Sequence, residues 1–380
     1  MVRASLFALG LLACGYATPA ESPAPGAADP PDAITQAAPE TAAAQAEFSA
    51  AYKRYQQLAD EGKREEALPY AKRAYELGLQ LFGTNHKNTA ALALNYGETL
   101  EKTGHRKEAI PVLDQALEIY RTIYGPQSSD MIDPLMDRGN ATGAWDTKQR
   151  LEYYDQALAI ARREAKPNEL LIAHLNLEAG IHLMRDGNAD DAKRFAEAAY
   201  TQYRKLVKPD DTRRAIAAFW LGKYWLAADK PRAAEPLFNE VLAAIEATNA
   251  HGNPLEQSSH ALLVTVYQRL DEPDKATPHC IAFAQLAPWD GVAEPTPLFQ
   301  TTPQYPDAAK GLEGSALIEF TIDASGRVRD AKLLGTDGSD AFGEPGVSAI
   351  STWRYAPRIV DGKPVDTTGV QTKVAFKLTL

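Results

Sequence analysis

The segment Ser315-Ala-Leu-Ile-Glu-Phe-Thr-Ile322 alternates between two sets of side chains along its whole length. A two-residue period is typical of a β-strand that has one buried and one exposed face. We predict that the buried face consists of Ala316, Ile318, Phe320 and Ile322. The segment is therefore expected to form a strand at the edge of a small hydrophobic core.

A second segment with the same alternation lies at residues 370–378. Its inward side chains are predicted to be Val370, Thr372, Val374, Phe376 and Leu378. Its outward side chains are predicted to be Gln371, Lys373, Ala375 and Lys377. The chain is therefore expected to end within a sheet.

The sequence between these two segments predicts how the strands connect. Asp323-Ala-Ser-Gly326 has turn chemistry, so the segment 328–334 should return antiparallel to the first strand. Val347, Ile350 and Trp353 recur every three residues, as expected for one face of a short covering helix. After this helical crossover, the last strand can pair in antiparallel fashion only with the first strand. The predicted strand order is second, first, third, which leaves the C-terminal strand at an edge.

An unpaired edge strand presents a row of free N–H and C=O groups, for which two interpretations are open. Lys373 and Lys377 are the only charged residues of its outer face, and edge lysines commonly prevent association between sheets. Alternatively, the edge binds an extended peptide as an additional strand.

A series of motifs in residues 303–380 resembles the C-terminal domain of TonB energy transducers. The motifs are Gln304-Tyr-Pro306, the strand 314–322, Gly326-Arg-Val328, Trp353-Arg-Tyr-Ala-Pro357, Asp361-Gly-Lys-Pro364 and the terminal strand. The resemblance implies a periplasmic domain of a Gram-negative bacterium that binds the TonB box, a short peptide of an outer-membrane transporter. It also implies that the peptide adds as a strand to the last strand of the domain.

The resemblance further implies which residues contact the peptide. They are Pro303, Gln304, Tyr305 and Pro306, together with the edge strand from Val370 to Leu378. A second interpretation of Tyr305-Pro306 is a helix start, with Pro306 at the first helical position, and both can hold together. Trp353 and Tyr355 are interpreted as core side chains.

A turn residue recurs at nearly constant spacing through the preceding part of the chain. Spacings of 42, 42, 41, 42 and 42 residues separate Gly62, Gly104, Asp146, Gly187, Asp229 and Asp271. Five residues after each of these lies a small or apolar residue, namely Ala67, Ala109, Leu151, Ala192, Ala234 and Ala276. Seven residues before some of them lies a glycine that would let paired helices approach closely, namely Gly97, Gly180 and Gly222. Each unit is therefore predicted to be two helices joined by a short turn.

Self-similarity at this period is typical of a solenoid whose repeats pack only against their neighbours. The pattern resembles tetratricopeptide repeats (TPR), with about six units between Glu47 and Leu286 and loops that begin at Phe82-Gly83 and Tyr124-Gly125. We expect Pro134, Gly139 and Gly143 to interrupt the first helix of the third unit. Such arrays usually bind a peptide or protein in a groove, but they can also be spacers or dimerisation surfaces. The sequence assigns no groove residues.

The N-terminus is typical of an exported protein. Arg3 precedes an apolar stretch, 4–13, that suits a signal peptide and is too short to span a bilayer. Leu11-Leu-Ala-Cys14 resembles the lipobox of bacterial lipoproteins, which would leave Cys14 lipidated, although Leu12 is larger than the usual residue. An ordinary signal peptide cleaved near Ala17 or Ala20 is the alternative. We expect a membrane tether through either the lipid or an uncleaved signal.

These observations predict an all-α solenoid followed by a small α+β domain with a three-stranded antiparallel sheet and covering helices. The predicted segments are a signal peptide at 1–20, an Ala- and Pro-rich disordered tether at 21–45, helical repeats at 46–287, a linker at 288–300 and the TonB-like domain at 301–380. The predicted location is the periplasm of a Gram-negative bacterium.

No motif in the sequence predicts catalysis, a cofactor or a metal site. His174 and His182 are too far apart along one helix to bind one ion, and Asp337-Gly-Ser-Asp340 is better interpreted as a surface turn than a calcium loop. Cys280 is expected to be unpaired. The net charge of −10 argues against a nucleic-acid partner.

Two functions remain open. The protein could be a TonB-like transducer that docks transporters through its C-terminal edge, with the repeats recruiting a second protein. It could instead be a periplasmic scaffold lipoprotein whose TonB-like domain only docks. The sequence has no inner-membrane helix of the kind a standard transducer uses. The question that distinguishes the two functions is therefore whether the protein transmits force.

Overall fold

The computed structural model describes residues 39–289 and 294–378. The predicted signal peptide, Cys14 with its predicted lipidation, and residues 21–38 of the predicted tether lie outside the described residues. The last residues of that tether, 39–45, are helical, because the first helix begins at Pro39. The first helix therefore begins before Glu47, near which the repeats were expected to start.

The first part of the described chain is built from twelve helices that follow one another in antiparallel pairs. They are α1 (Pro39–Asp60), α2 (Arg64–Phe82), α3 (Lys87–Lys102), α4 (Arg106–Tyr124), α5 (Ile132–Thr142), α6 (Thr147–Arg163), α7 (Glu169–Arg185), α8 (Ala189–Leu206), α9 (Thr212–Ala227), α10 (Pro231–Thr248), α11 (Pro254–Arg269) and α12 (Pro273–Leu286). Six pairs correspond to the six predicted units, which confirms the helical solenoid. The chain divides into two compact units between Trp220 and Leu221.

The repeated turn residues have the backbone conformation that explains their spacing. Five of the six positions have positive φ, namely Gly62, Gly104, Gly187, Asp229 and Asp271. Only glycine adopts this region freely, while Asp tolerates it through local hydrogen bonds. The sixth, Asp146, instead caps α6 by accepting a hydrogen bond from the Gln149 N–H at 3.0 Å.

The predicted close approach of paired helices is also present. A Cβ added to Gly97 would lie 2.4 Å from Leu113, and one added to Gly222 would lie 2.8 Å from Phe238. Both distances are shorter than atoms tolerate, so the absence of a side chain lets each helix pair pack.

The prediction that the first helix of the third unit is interrupted was wrong. α5 runs without a break from Ile132 to Thr142. Pro134 lies near its start, where the missing N–H costs little. Gly139 provides space for the ring of Tyr154, and Gly143, with φ of 65°, ends the helix.

The C-terminal part of the described chain contains one further α-helix and seven strands. They are β1 (Pro297–Phe299), β2 (Gly314–Ile322), β3 (Val328–Asp337), α13 (Gly343–Ile350), β4 (Arg354–Tyr355), β5 (Arg358–Val360), β6 (Lys363–Val365) and β7 (Thr367–Phe376). The main sheet has the order β3-β2-β7, with both pairings antiparallel, as predicted. Two short pairs, β1 with β4 and β5 with β6, were not predicted.

The core of this domain lies between the sheet and α13. It contains the predicted inward residues of β2 and the predicted core residues Trp353 and Tyr355, which are buried. Trp353 follows α13 rather than belonging to it, and its indole N–H donates to the Thr301 carbonyl at 3.0 Å. The expectation of a helix start at Pro306 is modified, since a single 3-10 turn follows it at Asp307–Ala309.

The last helix pair and the C-terminal domain pack together within the unit that begins at Leu221. A Cβ added to Gly326 would meet the Tyr355 carbonyl at 2.2 Å and Cys280 of α12 at 3.2 Å. The Arg354 side chain, which is 2% exposed, also reaches α12. The predicted linker is therefore followed by a domain that contacts the repeats directly.

Candidate functional site

The candidate site is the outer edge of β7. This strand pairs with β2 along its length, with Gly314 opposite Phe376 and Phe320 opposite Val370. No other strand of the described ranges pairs with β7. Its second edge therefore offers backbone N–H and C=O groups to an additional strand.

The side chains of β7 follow the predicted alternation as far as Phe376. Val374 and Phe376 are buried, while Val370 and Thr372 are half-buried. The outward residues are exposed, namely Gln371, Lys373, Ala375 and Lys377. The prediction that Leu378 faces inward was wrong: the strand ends at Phe376, and Leu378 is 45% exposed.

The 303–306 segment is held against the C-terminal end of β7 by Tyr305. Its ring meets the Phe376 ring edge-on with centroids 6.3 Å apart, and the Phe342 ring in the same way at 5.9 Å. Its hydroxyl donates to the Ala309 carbonyl at 2.9 Å and also contacts the Leu312 carbonyl. The structure thus brings the 303–306 segment and the edge strand β7, which were predicted separately, together at one end of the edge.

The remaining residues of that segment differ in exposure. Gln304 is exposed, whereas Pro303 and Pro306 are half-buried. Gln304 is therefore placed on the surface beside a side chain that packs on the edge strand. An exposed amide at this position has both donors and an acceptor available for a bound peptide.

Sequence reasoning missed three residues that contact β7 or the chain just after it. Phe342 stacks on Phe376 with ring centroids 4.4 Å apart. Glu313 accepts a hydrogen bond from the Leu378 N–H at 3.0 Å, which holds the chain beyond the strand. Glu319 accepts one from the Gln371 side chain at 3.0 Å. Only the last contact had a signal in the sequence, because Glu319 and Gln371 both occupy outward-facing positions of two segments that were predicted to pair.

The repeats contain a polar cluster that could not be predicted from the sequence. The carboxylate of Asp186 accepts hydrogen bonds from Arg106 and from Arg150, both at 2.8 Å. Arg106 also pairs with Glu101 at 3.3 Å. Burial raises the pKa of Glu101, and burial together with the charge of Arg150 lowers the pKa of His182 well below its usual value.

The same cluster extends through hydrogen bonds to the next helices. Arg150 donates to the Tyr154 hydroxyl at 3.1 Å, and this hydroxyl donates to Asn140 at 2.8 Å. Asn140 in turn donates to Glu178 at 2.6 Å. Each of the five helices from α3 to α7 contributes at least one residue to the cluster. The cluster therefore links three successive repeats.

A carboxylate-rich region lies next to this cluster. Burial, followed by the charges of Glu98 and Glu178, raises the pKa of Asp137 well above its usual range. The three residues belong to α3, α5 and α7, the first helices of successive pairs. This part of the array therefore places several carboxyl groups near one another.

Residues 39–289 and 294–378 contain no group of three or more His, Cys, Asp or Glu residues placed to bind a metal ion. None of the helices there combines the length and the apolar character needed to cross a membrane.

Comparisons with known proteins match the two parts of the chain separately. Residues 301–378 match the family model of the Gram-negative bacterial TonB protein C-terminal. Residues 50–122 match the tetratricopeptide repeat model. The chain thus combines a TonB C-terminal domain with tetratricopeptide repeats.

Similar proteins include TonB from Vibrio cholerae serotype O1, 35% identical over 81 residues, which is 21% of this chain and 33% of that protein. TonB from Pseudomonas aeruginosa is 37% identical over 71 residues, or 18% of this chain and 21% of that protein. The chain therefore spans about a third or less of the length of these curated relatives. Among solved structures, aspartyl phosphate phosphatase F from Bacillus subtilis is similar over 67% of this chain and 78% of its own, with 14% identity and a TM-score of 0.45.

Proposed function

We propose that the protein is a periplasmic, non-enzymatic TonB-like protein that docks outer-membrane transporters. A TonB-box peptide binds as a fourth strand along the outer edge of β7. The observation that carries this proposal is the unpaired edge of β7, with the 303–306 segment packed at its end through Tyr305 and Phe376.

The geometry suits a short extended peptide. Main-chain groups of the edge would supply the hydrogen bonds, while Gln304 would contact the peptide beyond Phe376. The exposed Lys373 and Lys377 would favour a peptide with acidic or neutral side chains next to them. A single added strand gives a small interface, so we expect a dissociation constant in the range of about 1 μM to 100 μM.

The test is a calorimetric titration of the full-length protein with TonB-box peptides from outer-membrane transporters of the same host. Binding should be saturable and should weaken on Gln304→Ala, which removes an exposed side chain without disturbing the core. Lys310→Ala, an exposed change elsewhere in the domain, is the matched control and should bind as the wild type does. Absence of binding to every peptide, or equal binding by the Gln304 and Lys310 variants, would contradict the proposal and favour a scaffold role.

The repeats are proposed to recruit a second protein. Their partner should not depend on the β7 edge, because the edge belongs to the C-terminal domain. Proteins captured equally by the wild type and by a variant with a blocked edge would therefore be partners of the array. Proteins captured only by the wild type would be partners of the edge.

Membrane attachment is proposed to occur through lipid on Cys14 or through an uncleaved signal. Labelling cells with an alkyne fatty acid distinguishes these two possibilities. Label that is lost in Cys14→Ala supports lipidation, and undiminished label on that variant would rule it out.

A further inference from the structure

Basic residues recur with the repeat period where the second helix of a pair ends. At the end of α6 and just after it lie Arg162, Arg163 and Lys166. The positions 42 residues further on, at the end of α8 and just after it, hold Arg204, Lys205 and Lys208. Equivalent positions of a solenoid line up along one side of the array. We call the side formed by residues 121–124, 162–170 and 204–208 the basic rim.

Side-chain contacts hold the segments of the basic rim next to one another. Arg163, at the end of α6, donates a hydrogen bond to Gln127 in the loop after α4. Gln202, near the end of α8, donates to Glu169 in the first turn of α7 at 3.3 Å. Because all these residues belong to the compact unit that ends at Trp220, the basic rim is one continuous surface.

Most cations of α6, α8 and the loops after them have no anionic partner. Arg163 bonds to Gln127, and Arg204 lies over the ring of Tyr200, 5.5 Å from its centroid. The other four are exposed and form no ion pair within residues 39–289 and 294–378, namely Arg162, Lys166, Lys205 and Lys208. Their charges are therefore available to a partner.

The local charge balance is opposite to that of the whole chain. Segments 162–170 and 204–214 together contain eight basic and four acidic residues, whereas the chain has 40 basic and 50 acidic residues. One of the four carboxylates, Asp211, is already paired with Arg213 at 2.7 Å. The basic rim is thus a positive region on an acidic protein, and it should attract anionic surfaces.

Helix dipoles alone do not account for these cations. A helix C-terminus favours Lys and Arg in its last turn, and α4, α6 and α8 have such residues there. However, α2 and α10, which are also second helices of their pairs, have none. Lys166 and Lys208 lie beyond the last turn, where the dipole has little effect. The cations are therefore a property of the middle repeats rather than of helix ends in general.

Large apolar side chains are exposed on the same rim. Residues 39–220 expose six such side chains, and four of them lie on the basic rim at 38% to 43% exposure, namely Ile123, Tyr124, Leu170 and Leu206. A partner that offered only acidic groups would leave these side chains in water. A bilayer with anionic headgroups accepts both kinds, because its phosphates pair with Lys and Arg while apolar side chains enter between the headgroups.

From these observations we propose that the basic rim binds a membrane surface that carries anionic phospholipid headgroups. Stable attachment to a bilayer usually needs two signals, such as one lipid chain and a basic region. The basic rim would supply the second signal to the N-terminal attachment proposed above. This contact does not involve β7, so its failure would leave the proposed peptide docking untouched.

The test is cosedimentation with vesicles of the full-length protein carrying Cys14→Ala, so that no lipid on the protein contributes. One set of vesicles is phosphatidylcholine alone, and the other contains about one third phosphatidylglycerol. Binding should be at least about tenfold tighter to the anionic vesicles. It should weaken by at least about tenfold when the salt concentration rises from about 0.05 M to about 0.5 M, since exposed charges are screened.

Two variants separate the charged from the apolar contribution. Lys166→Ala combined with Lys208→Ala removes two unpaired cations and should weaken binding to anionic vesicles by about 10- to 30-fold. Leu206→Ser should weaken it by about fivefold while the salt dependence stays as in the wild type. Far-UV circular dichroism spectra like that of the wild type verify that both variants are folded.

The matched control comes from the opposite ends of the helices. Lys107 and Lys148 are exposed in the first turns of α4 and α6, and α6 alone is about 25 Å long. Their double alanine variant should bind vesicles as the wild type does. Equal binding to both kinds of vesicle, or an equal loss in the control, would overturn the proposal. So would absence of vesicle binding together with capture of an acidic protein that the Lys166 and Lys208 variant loses.

Discussion

Arg354 and Thr277, which are far apart in the sequence, are joined by a hydrogen bond from Nη2 to the hydroxyl at 3.0 Å. The same Nη2 donates to the Ser325 carbonyl at 2.9 Å, and Nη1 donates to the Pro273 carbonyl at 3.0 Å. The side chain is buried, and these acceptors are all uncharged. Neutral acceptors from α12 and from the β2–β3 turn therefore stabilise a buried cation and tie the C-terminal domain to the last repeat.

Replacing Arg354 should destabilise the last repeat and the C-terminal domain together. Arg354→Ala leaves the carbonyls of Pro273 and Ser325 without a donor and opens space in a buried region. We expect a loss of about 2 to 4 kcal/mol in the free energy of unfolding. Arg358→Ala, an exposed neighbour, should change it by less than about 0.5 kcal/mol. Urea unfolding measures both values, and similar effects of the two variants would contradict the assigned role of Arg354.

Two substitutions of Tyr305 separate the contribution of its ring from that of its hydroxyl. Tyr305→Phe keeps the contacts with Phe342 and Phe376 but removes the donor to Ala309, for an expected loss of about 1 kcal/mol. Tyr305→Ala also removes the ring and should cost about 3 kcal/mol or more. Peptide affinity should fall much further in the alanine variant. Equal affinity of the two variants would show that the ring does not position the 303–306 segment.

Proline substitutions in β7 test strand addition. The N–H groups of neighbouring residues in a strand point to opposite edges of that strand. Of the two neighbours Thr372 and Lys373, one therefore directs its N–H to the added peptide and the other directs it to β2. Proline at the first of these positions should abolish peptide binding with little loss of stability, whereas proline at the second should destabilise the sheet. Thr372→Ala and Lys373→Ala retain the N–H groups and are the controls. Two folded proline variants that both bind peptide would disprove strand addition.

A histidine pair on the last repeat predicts a pH dependence of stability. His260 and His279 lie with their Nδ1 atoms 2.8 Å apart, and burial followed by the charge of His260 lowers the pKa of His279 to about 4. The unfolded chain binds this proton at its ordinary pKa of 6.5. Between pH 6.5 and about 4 the unfolded state therefore binds more protons, so stability falls as the pH is lowered through that range.

The variant that checks this is His279→Asn. It removes the titrating group, so the stability of the variant should decline less steeply between pH 6.5 and 4 than that of the wild type. Urea unfolding midpoints at several pH values provide the measurement. Parallel pH profiles of the two proteins would show that His279 does not contribute.

Much of the fold could be predicted because its signals are local. Alternation in β2 and β7, turn chemistry at Asp323–Gly326 and the helical crossover were sufficient for the order of the main sheet. The repeat period located six helix pairs. The prediction that Pro134 and Gly139 interrupt a helix was wrong because their effect depends on position. A proline near the start of α5 and a glycine beneath a tyrosine ring are both compatible with that helix.

The candidate site could be predicted only in part. The edge strand followed from topology, but its end at Phe376 depends on the stacking of Phe342 and on the Glu313 contact. The contribution of Arg354 was not predictable, because its partners are brought close only when α12 packs on the domain.

The sequence by itself determined the elements, their order and the repeat period, since periodicity along a chain follows from the geometry of helix and strand. Only the tertiary structure decided which side chains meet: Tyr305 with Phe376, and Arg354 with Thr277. The physical reason is that these contacts join residues whose spacing matches no helical or strand period. They exist only once distant segments share a core, and a local pattern contains no information about that packing.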